Sequence, residues 1–218
     1  MNGRGVRIVV GCGYLGERVA RVWLEAGWRV IATTRQPRRA DALRLRGIEP
    51  FVVDVTAPAP GWKGLLEQVG IPATVLWSVG FDPTSTATHR EIHVTGLARL
   101  LDSLAAAGGG GLRPRLILSS STGVWGDEDG RVVTEETPAR PTREAGRVLL
   151  EAEALLHGHR LGPGVALRFA GLYGPGRLPR LDDLRAGRPL AADPDSWLNL
   201  RSEEHTSELQ SRQYLVCR

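Results

Sequence analysis

Several features that would define a membrane, secreted or metal-binding protein are scarce in this chain. It has two cysteines, Cys12 and Cys217, too few for a disulfide framework or a cysteine-based metal site. Its apolar runs are too short to span a bilayer, and Gly11 and Gly13 interrupt the run nearest the N-terminus, which excludes a signal-peptide core. We therefore expect a cytoplasmic protein with no metal and no membrane partner.

Lysine is the scarcest charged residue, because Lys63 is the only one in the sequence and arginine supplies the rest of the positive charge. The formal net charge is +4, but the arginines are scattered and no basic run alternates with aromatic residues. This distribution is typical of an arginine-rich surface and argues against a nucleic-acid partner. Because Lys63 is the only lysine, no other position can supply a catalytic lysine.

Glycine is abundant, and three glycines form the most informative motif of the chain. Residues 11–16 read GCGYLG, with a short apolar run before them and an amphipathic helical pattern after them. In the spacing G-x-G-x-x-G, Gly11 permits a tight turn, Gly13 lets a pyrophosphate approach the backbone, and Gly16 lets helix and strand pack closely. The helix N-terminus also favours phosphate. We predict that this segment binds a dinucleotide.

The end of the second predicted strand indicates which dinucleotide is bound. In NAD-binding folds of this type, an acid about twenty residues past the glycines holds the ribose 2′-hydroxyl. Here the chain has Thr33, Thr34 and Arg35, followed by Arg38 and Arg39. Arginine can pair with the 2′-phosphate of NADP, and hydroxyls can add hydrogen bonds. We expect NADP in preference to NAD; the alternative is that these arginines are solvated loop residues.

The rest of the sequence predicts a single α/β domain over residues 1–200. Apolar strands alternate with amphipathic helices, as expected of a Rossmann-type, doubly wound parallel sheet. Ligands of such sheets lie at the carboxyl ends of the strands, which together with the glycine motif defines the expected cofactor site. The residues expected at the cofactor are Gly11, Gly13, Tyr14, Leu15, Gly16, Thr34, Arg35, Asp54, Ser78, Val79, Gly80 and Tyr173.

Two of these residues have structural alternatives. Asp54 follows the third predicted strand, where it would reach the adenine amino group or cap the next turn. Tyr173 stands in a Gly/Pro loop after the sixth strand, where it would lie against the nicotinamide end or pack as an ordinary turn aromatic.

Four short motifs follow one another along the chain in a fixed order. They are GCGYLG at 11–16, SSSTGVWG at 119–126, EETP at 135–138 and LYGPG at 172–176. Together they resemble the extended short-chain dehydrogenase/reductases, the NAD-dependent epimerase/dehydratase proteins, over residues 6 to about 200. The resemblance implies an oxidoreductase or epimerase-like protein acting on a small molecule. It also implies a candidate homodimer, built from the helices that begin near residues 86 and 143.

The resemblance fails at the catalytic helix. The family's chemistry needs a Ser or Thr after the fifth strand and a Tyr-x-x-x-Lys on the next helix, where lysine lowers the pKa of the proton-passing tyrosine. Alignment on Val124 gives Ser121 the serine position, but counting back from Glu151 gives Arg143 and Arg147 the tyrosine and lysine positions. Arginine stays protonated and cannot replace tyrosine as a proton donor.

The catalytic candidates therefore have two interpretations each. Ser121 would hydrogen-bond a substrate hydroxyl or carbonyl, or else satisfy backbone groups at a strand end. Arg147 would orient the cofactor ribose or an anion, and Arg143 would bind a carboxylate or phosphate of the substrate. The alternative is that both arginines are surface residues of the helix. On the helix before the fifth strand, His93 stands where the family usually has asparagine. The resemblance thus implies an atypical NADP-dependent enzyme or, alternatively, a non-catalytic NADP(H)-binding sensor or carrier.

The last segment differs in composition from the rest of the chain. Residues 201–211, RSEEHTSELQS, can be back-translated into a common sequencing-library adapter. We expect that the native sequence ends near Leu200 and that residues 201–218 are a translated artefact, disordered or unpacked. The family's substrate-binding lobe would then be largely missing. Re-sequencing the locus tests this, since an uninterrupted native frame through the tail would contradict it.

Overall fold

A parallel six-stranded sheet forms the centre of the protein. The computed structural model describes residues 5–58, 61–80, 82, 85–108, 111–126, 131–189 and 199–202. The strands are β1 (Val6–Val10), β2 (Arg29–Thr34), β3 (Glu49–Val52), β4 (Thr74–Trp77), β5 (Arg115–Ser121) and β6 (Val165–Phe169). Their order is β3-β2-β1-β4-β5-β6, and every pair is parallel. The predicted Rossmann-type sheet is confirmed.

Helices connect the strands, as parallel pairing requires. In the described part of the chain they are α1 (Tyr14–Glu25), α2 (Pro37–Arg44), α3 (Trp62–Val69), α4 (Leu97–Ala107), α5 (Glu144–Gly158) and α6 (Leu181–Arg185). A π-helical segment, Glu91–Gly96, leads directly into α4. A 3₁₀ turn, Thr122–Val124, follows β5.

The sheet is buried on both faces because its central strands are apolar at nearly every position. On β1, Ile8 packs in the cluster that includes α3, α4 and α5, whereas Val9 packs in the cluster that includes Trp23 of α1. Successive side chains of a strand point to opposite faces, so an unbroken apolar strand needs helices on both sides. All four residues of β4 are buried for the same reason.

The strand order places a crevice at the carboxyl end of β1. The chain moves outward from β1 to β2 and β3, then returns to form β4 on the opposite side of β1. In open α/β sheets, ligands bind where the strand order reverses in this way. The glycine turn follows β1 directly and therefore lies at this switch point.

Two short strands, β7 (Gly171–Tyr173) and β8 (Leu200–Ser202), form a separate parallel pair. Tyr173 pairs with Ser202 in this ladder, and Arg201 and Ser202 are half-buried. The boundary expected at Leu200 thus falls within β8. Residues 203–218, including Cys217, lie outside the described residues.

Reactive and membrane-seeking features are few in the described ranges. Within them, no helix has the length and apolarity needed to cross a membrane, and no three His, Cys, Asp or Glu side chains are grouped to hold a metal ion. Cys12 is a buried free thiol. Its burial raises the pKa to about 12 despite the nearby Arg39, so the thiol stays protonated and is a poor nucleophile.

Candidate functional site

The glycine turn after β1 requires glycine at two positions for steric reasons. Gly11 has a φ of 85°, and a Cβ there would come within 2.5 Å of the Val79 Cα. A Cβ on Gly16, in the first turn of α1, would lie 2.6 Å from the Gly11 carbonyl oxygen and 2.9 Å from Ser78 Oγ. The turn, α1 and the segment after β4 are therefore in close contact, which only glycine permits.

Gly13 differs from the other two glycines because it faces open space. It is exposed, and no atom lies within 4 Å of a Cβ built on it. It is also the N-cap of α1, and no side chain caps that helix. The N–H groups of a first helical turn have no intrahelical acceptors, so an uncapped N-terminus beside open space can receive an anion.

An open groove of about 260 Å³ runs past this turn. It lies at the carboxyl ends of β1 and β2, between the segments that follow β3 and β4. Its lining includes six of the residues predicted at the cofactor, namely Gly11, Gly13, Thr34, Arg35, Val79 and Gly80. The fold thus brings together residues that are up to about seventy positions apart in the sequence, at the place where dinucleotides bind in such sheets.

Other predicted cofactor residues support the walls of the groove. The Ser78 hydroxyl donates to the Gly11 carbonyl at 2.9 Å and fixes the turn against β4. Leu15 packs in the apolar cluster beneath α1. The ring of Tyr14 receives two guanidinium groups, from Arg18 at 3.6 Å and from Arg177 at 5.1 Å.

Two predicted cofactor residues hold turns. Asp54, two residues beyond β3, accepts hydrogen bonds from the Thr56 N–H at 2.9 Å and the Thr56 hydroxyl at 2.7 Å. Burial acts to raise the pKa of Asp54, but these bonds and the charge of Arg35 outweigh it and lower the pKa. The Thr34 hydroxyl accepts from the Gln36 N–H at 3.2 Å. The contacts of Asp54 are those expected of a residue that caps the turn after β3.

The end of β2 and helix α2 hold the glycine turn from the other side. The Thr33 hydroxyl accepts the Gly11 N–H at 2.9 Å. Arg39 donates twice to the Cys12 carbonyl, at 2.8 and 3.0 Å, and once to Glu17 at 3.1 Å. Sequence reasoning found these residues near the cofactor site but missed that they brace its backbone. Their partners are more than twenty residues away, so no local pattern indicates these bonds.

Arg35, which lines the groove, contacts the segment after β4. Its guanidinium pairs with Asp82 at 2.8 Å and donates to the Ser85 hydroxyl at 3.2 Å. The side chains of Arg35 and Asp82 are 40% and 36% exposed, so solvent reaches this ion pair. Arg38 is exposed and does not line the groove.

The catalytic candidates are occupied by local contacts. Ser121 caps the 3₁₀ turn, since its Oγ accepts the Gly123 N–H at 3.1 Å. Arg147 donates to Glu144 at 3.1 Å and to the Thr142 carbonyl at 2.9 Å. Arg143 is the exposed N-cap residue of α5. The groove lining contains none of these three catalytic candidates.

A buried ion pair on α5 was missed by sequence reasoning. Glu153 is 4% exposed, accepts a hydrogen bond from the Ser120 hydroxyl at 2.5 Å, and pairs with Arg168 of β6 at 2.7 Å. The Arg168 guanidinium also lies 4.9 Å from the Trp125 ring. This network ties α5 to β5, to β6 and to the loop that follows Ser121.

The buried glutamate also bears on how the catalytic helix is counted. Glu151, the residue used for that count, is a surface residue paired with Arg90. Counting from Glu153 instead moves the tyrosine and lysine positions to Ala145 and Leu149. Neither count puts a tyrosine or a lysine on this helix, so the departure from the family's pattern does not depend on the choice.

Among the histidines that the structure describes, His93 has the pKa that departs most from its ordinary value. It lies in the π-helical segment before α4, is 5% exposed and stacks on His89 with ring centroids 5.9 Å apart. Its Nδ1 has no hydrogen-bond partner within the part of the chain that the structure describes. Burial, helped by the charge of His89, lowers its pKa to about 4.

We expect acid to destabilise the protein through His93. As pH falls from 6.5, the ordinary pKa, to about 4, the unfolded state takes up a proton that the folded state does not. The free energy of unfolding should therefore fall by up to about 3 kcal/mol across this window, with no contribution above it. Urea unfolding between about pH 4.5 and 7 measures the slope. His93→Leu should flatten it, the exposed His157→Gln should not, and an unchanged slope in His93→Leu would contradict the assignment.

Comparison with known proteins identifies the family. Residues 8–186, most of the chain, match the NAD dependent epimerase/dehydratase family. The chain belongs to the NAD-dependent epimerase/dehydratase family. This confirms the resemblance carried by the four sequence motifs. The cofactor associated with the family is a nicotinamide dinucleotide, in agreement with the glycine motif.

Three relatives show the extent of the similarity. Protein YeeZ of Escherichia coli K12 is 31% identical over 178 residues, covering 78% of this chain and 60% of YeeZ. A functionally unknown conserved protein from Silicibacter pomeroyi is 29% identical with a TM-score of 0.69, covering 94% of this chain and 66% of that one. A short-chain dehydrogenase/reductase superfamily protein from Agrobacterium tumefaciens with bound NAD is 26% identical with a TM-score of 0.62, covering 77% and 50%. The chain spans about half to two thirds of these relatives.

Proposed function

We propose that this member of the epimerase/dehydratase family binds NADP(H) in the groove beside the glycine turn. The observation that carries the proposal is the geometry of three glycines, with Gly11 and Gly16 in close contact and Gly13 open to a ligand. Calorimetric titration of the chain with NADPH and, separately, with NADH tests this proposal. We expect one NADPH per chain, bound more tightly than NADH, and absence of saturable binding by either would refute it.

The preference for NADP rests on Arg35, which lines the groove where NAD-specific folds carry an acid. Arg35→Ala should weaken NADPH binding by roughly tenfold to hundredfold, because charge-assisted hydrogen bonds to the 2′-phosphate are lost. NADH binding should change by less than about threefold. Arg38→Ala, an exposed arginine outside the groove, is the matched control. Equal losses for both cofactors in Arg35→Ala would contradict this role.

We propose that the full-length protein is an oxidoreductase or epimerase-like enzyme acting on a hydroxyl or carbonyl of a small, anionic molecule. Ser121 supports this, because its oxygen accepts one hydrogen bond and, among the residues that the structure describes, its hydroxyl has no acceptor of its own. Arg143 would bind a substrate carboxylate or phosphate, and Arg147 would steady the cofactor or substrate. Oxidation of NADPH by the full-length protein against a panel of small carbonyl compounds tests the proposal, with Ser121→Ala expected to reduce turnover.

A specific observation favours a second candidate, a non-catalytic NADP(H)-binding sensor or carrier. Whether the helix is counted from Glu151 or Glu153, it lacks the tyrosine and lysine that pass the proton. Stoichiometric NADPH binding without turnover on the whole panel would support the sensor. Turnover that depends on Ser121 would support the enzyme.

Two further properties are proposed on the strength of the family resemblance. The protein would form a homodimer through α4 and α5, which are the helices that family members use. Sedimentation of the chain tests this, since a monomer at all concentrations would contradict it. The free buried thiol of Cys12 is compatible with a cytoplasmic location.

A further inference from the structure

The ion pair between Arg35 and Asp82 joins a residue that lines the proposed cofactor groove to the segment that follows β4. Arg35 follows β2 directly, whereas Asp82 and Ser85 belong to the segment after β4. Both strands are neighbours of β1, so the contact connects the segments that leave the sheet on either side of β1, where the glycine turn begins.

The ion pair places the Asp82 carboxylate beside Arg35, whereas the residues immediately after β2 include no acid. Asp82 Oδ2 lies 2.8 Å from one guanidinium nitrogen of Arg35, and the Ser85 hydroxyl accepts from another at 3.2 Å. A group that approaches Arg35 thus meets a fixed negative charge beside the positive one. A 2′-phosphate would compete with Asp82 for the guanidinium and be repelled by it, whereas a 2′-hydroxyl can donate to a carboxylate.

The pair is also able to open. Both side chains are more than one third exposed, and exposed ion pairs contribute little net stability. The carboxylate therefore acts as a modest competitor for Arg35 and does not block the site.

We propose that Asp82 is a specificity-determining residue of the dinucleotide site, which narrows the preference for NADP and allows NAD to bind. The assignment rests on the proposed NADP(H) binding. Arg35 supplies the attraction for the 2′-phosphate, and Asp82 supplies the opposing charge and an acceptor for the 2′-hydroxyl. Specificity then depends on the balance of the two side chains and not on Arg35 alone.

The test is the ratio of NADPH to NADH affinity in Asp82→Asn, measured by calorimetry on the whole chain. NADPH affinity should rise by roughly threefold to tenfold, because the competitor and its repulsion are removed. NADH affinity should stay the same or fall. The control is Asp102→Asn, which neutralises an acid on α4 that pairs with His159 outside the groove and should leave the ratio unchanged.

A double variant separates competition from repulsion. If Asp82 competes for Arg35, the gain from Asp82→Asn should shrink when Arg35 is already alanine. An unchanged or lowered NADPH affinity in Asp82→Asn would overturn the assignment while leaving NADP(H) binding intact. Binding of neither cofactor by the parent chain would instead refute the proposed function itself.

Discussion

Gly13→Val should abolish NADPH binding while the protein stays folded. A side chain at Gly13 meets no protein atom within 4 Å, and its φ of −88° lies outside the left-handed region that favours glycine. The added methyl groups would instead occupy the space in front of the uncapped N-terminus of α1, where the pyrophosphate is expected. We expect a loss of NADPH affinity of more than about a hundredfold, with an unfolding temperature within a few degrees of the parent chain.

Gly11→Val is the matched comparison, because the same residue is introduced two positions away. There the new Cβ would overlap the backbone of Val79 at 2.5 Å, in a left-handed conformation that side chains rarely adopt. The free energy of unfolding should fall by about 3 kcal/mol or more. Calorimetric titration and thermal unfolding measure both effects. If Gly13→Val bound NADPH as tightly as the parent chain does, the glycine turn would not be the cofactor site.

The part of the fold that was predictable from the sequence is the part encoded locally. The motif at residues 11–16 defines a strand, a turn and a helix start within a few positions, and unbroken apolar runs such as β4 indicate strands buried on both faces. Alternation of these elements leaves few topologies, because crossovers between parallel strands have a fixed hand. The sheet order follows from that rule more than from any single residue.

The contacts that shape the candidate site are not local and could not be read from spacing. Thr33 binds the Gly11 N–H across 22 positions, and Arg35 meets Asp82 across 47. The sequence indicates that Thr33 and Arg35 end a strand near the cofactor, but their partners depend on how neighbouring strands align. For that reason the competing carboxylate at Asp82 escaped notice, although the position of Arg35 was expected.

Glu153 was missed for a different reason. It lies three positions before Leu156 and seven after Gly146, both of which are buried, and these spacings place it on the buried face of α5. A glutamate on such a face, together with an arginine within the apolar strand β6, is a signal of a buried ion pair. Glu151, two positions earlier, pairs with Arg90 at the surface instead.

Glu153→Ala should be strongly destabilising. It leaves Arg168 without its carboxylate and Ser120 without its acceptor in a region where Glu153 itself is 4% exposed. Removing one partner of a buried pair costs about 3–5 kcal/mol, and we expect the lower end because the Arg168 side chain is 20% exposed. Chemical unfolding, followed by tryptophan fluorescence, measures the loss; Trp125, whose ring lies 4.9 Å from the Arg168 guanidinium, is one of the six tryptophans that give the signal.

Glu151→Ala is the control for that experiment, since it removes the same side chain two positions away on the same helix. Its ion pair with Arg90 is at the surface and should contribute less than about 1 kcal/mol. A further variant, Glu153→Leu with Arg168→Met, should recover much of the lost stability, because apolar residues of similar volume can replace a buried pair. If Glu153→Ala is no more destabilising than Glu151→Ala, the buried network does not join α5 to the sheet energetically.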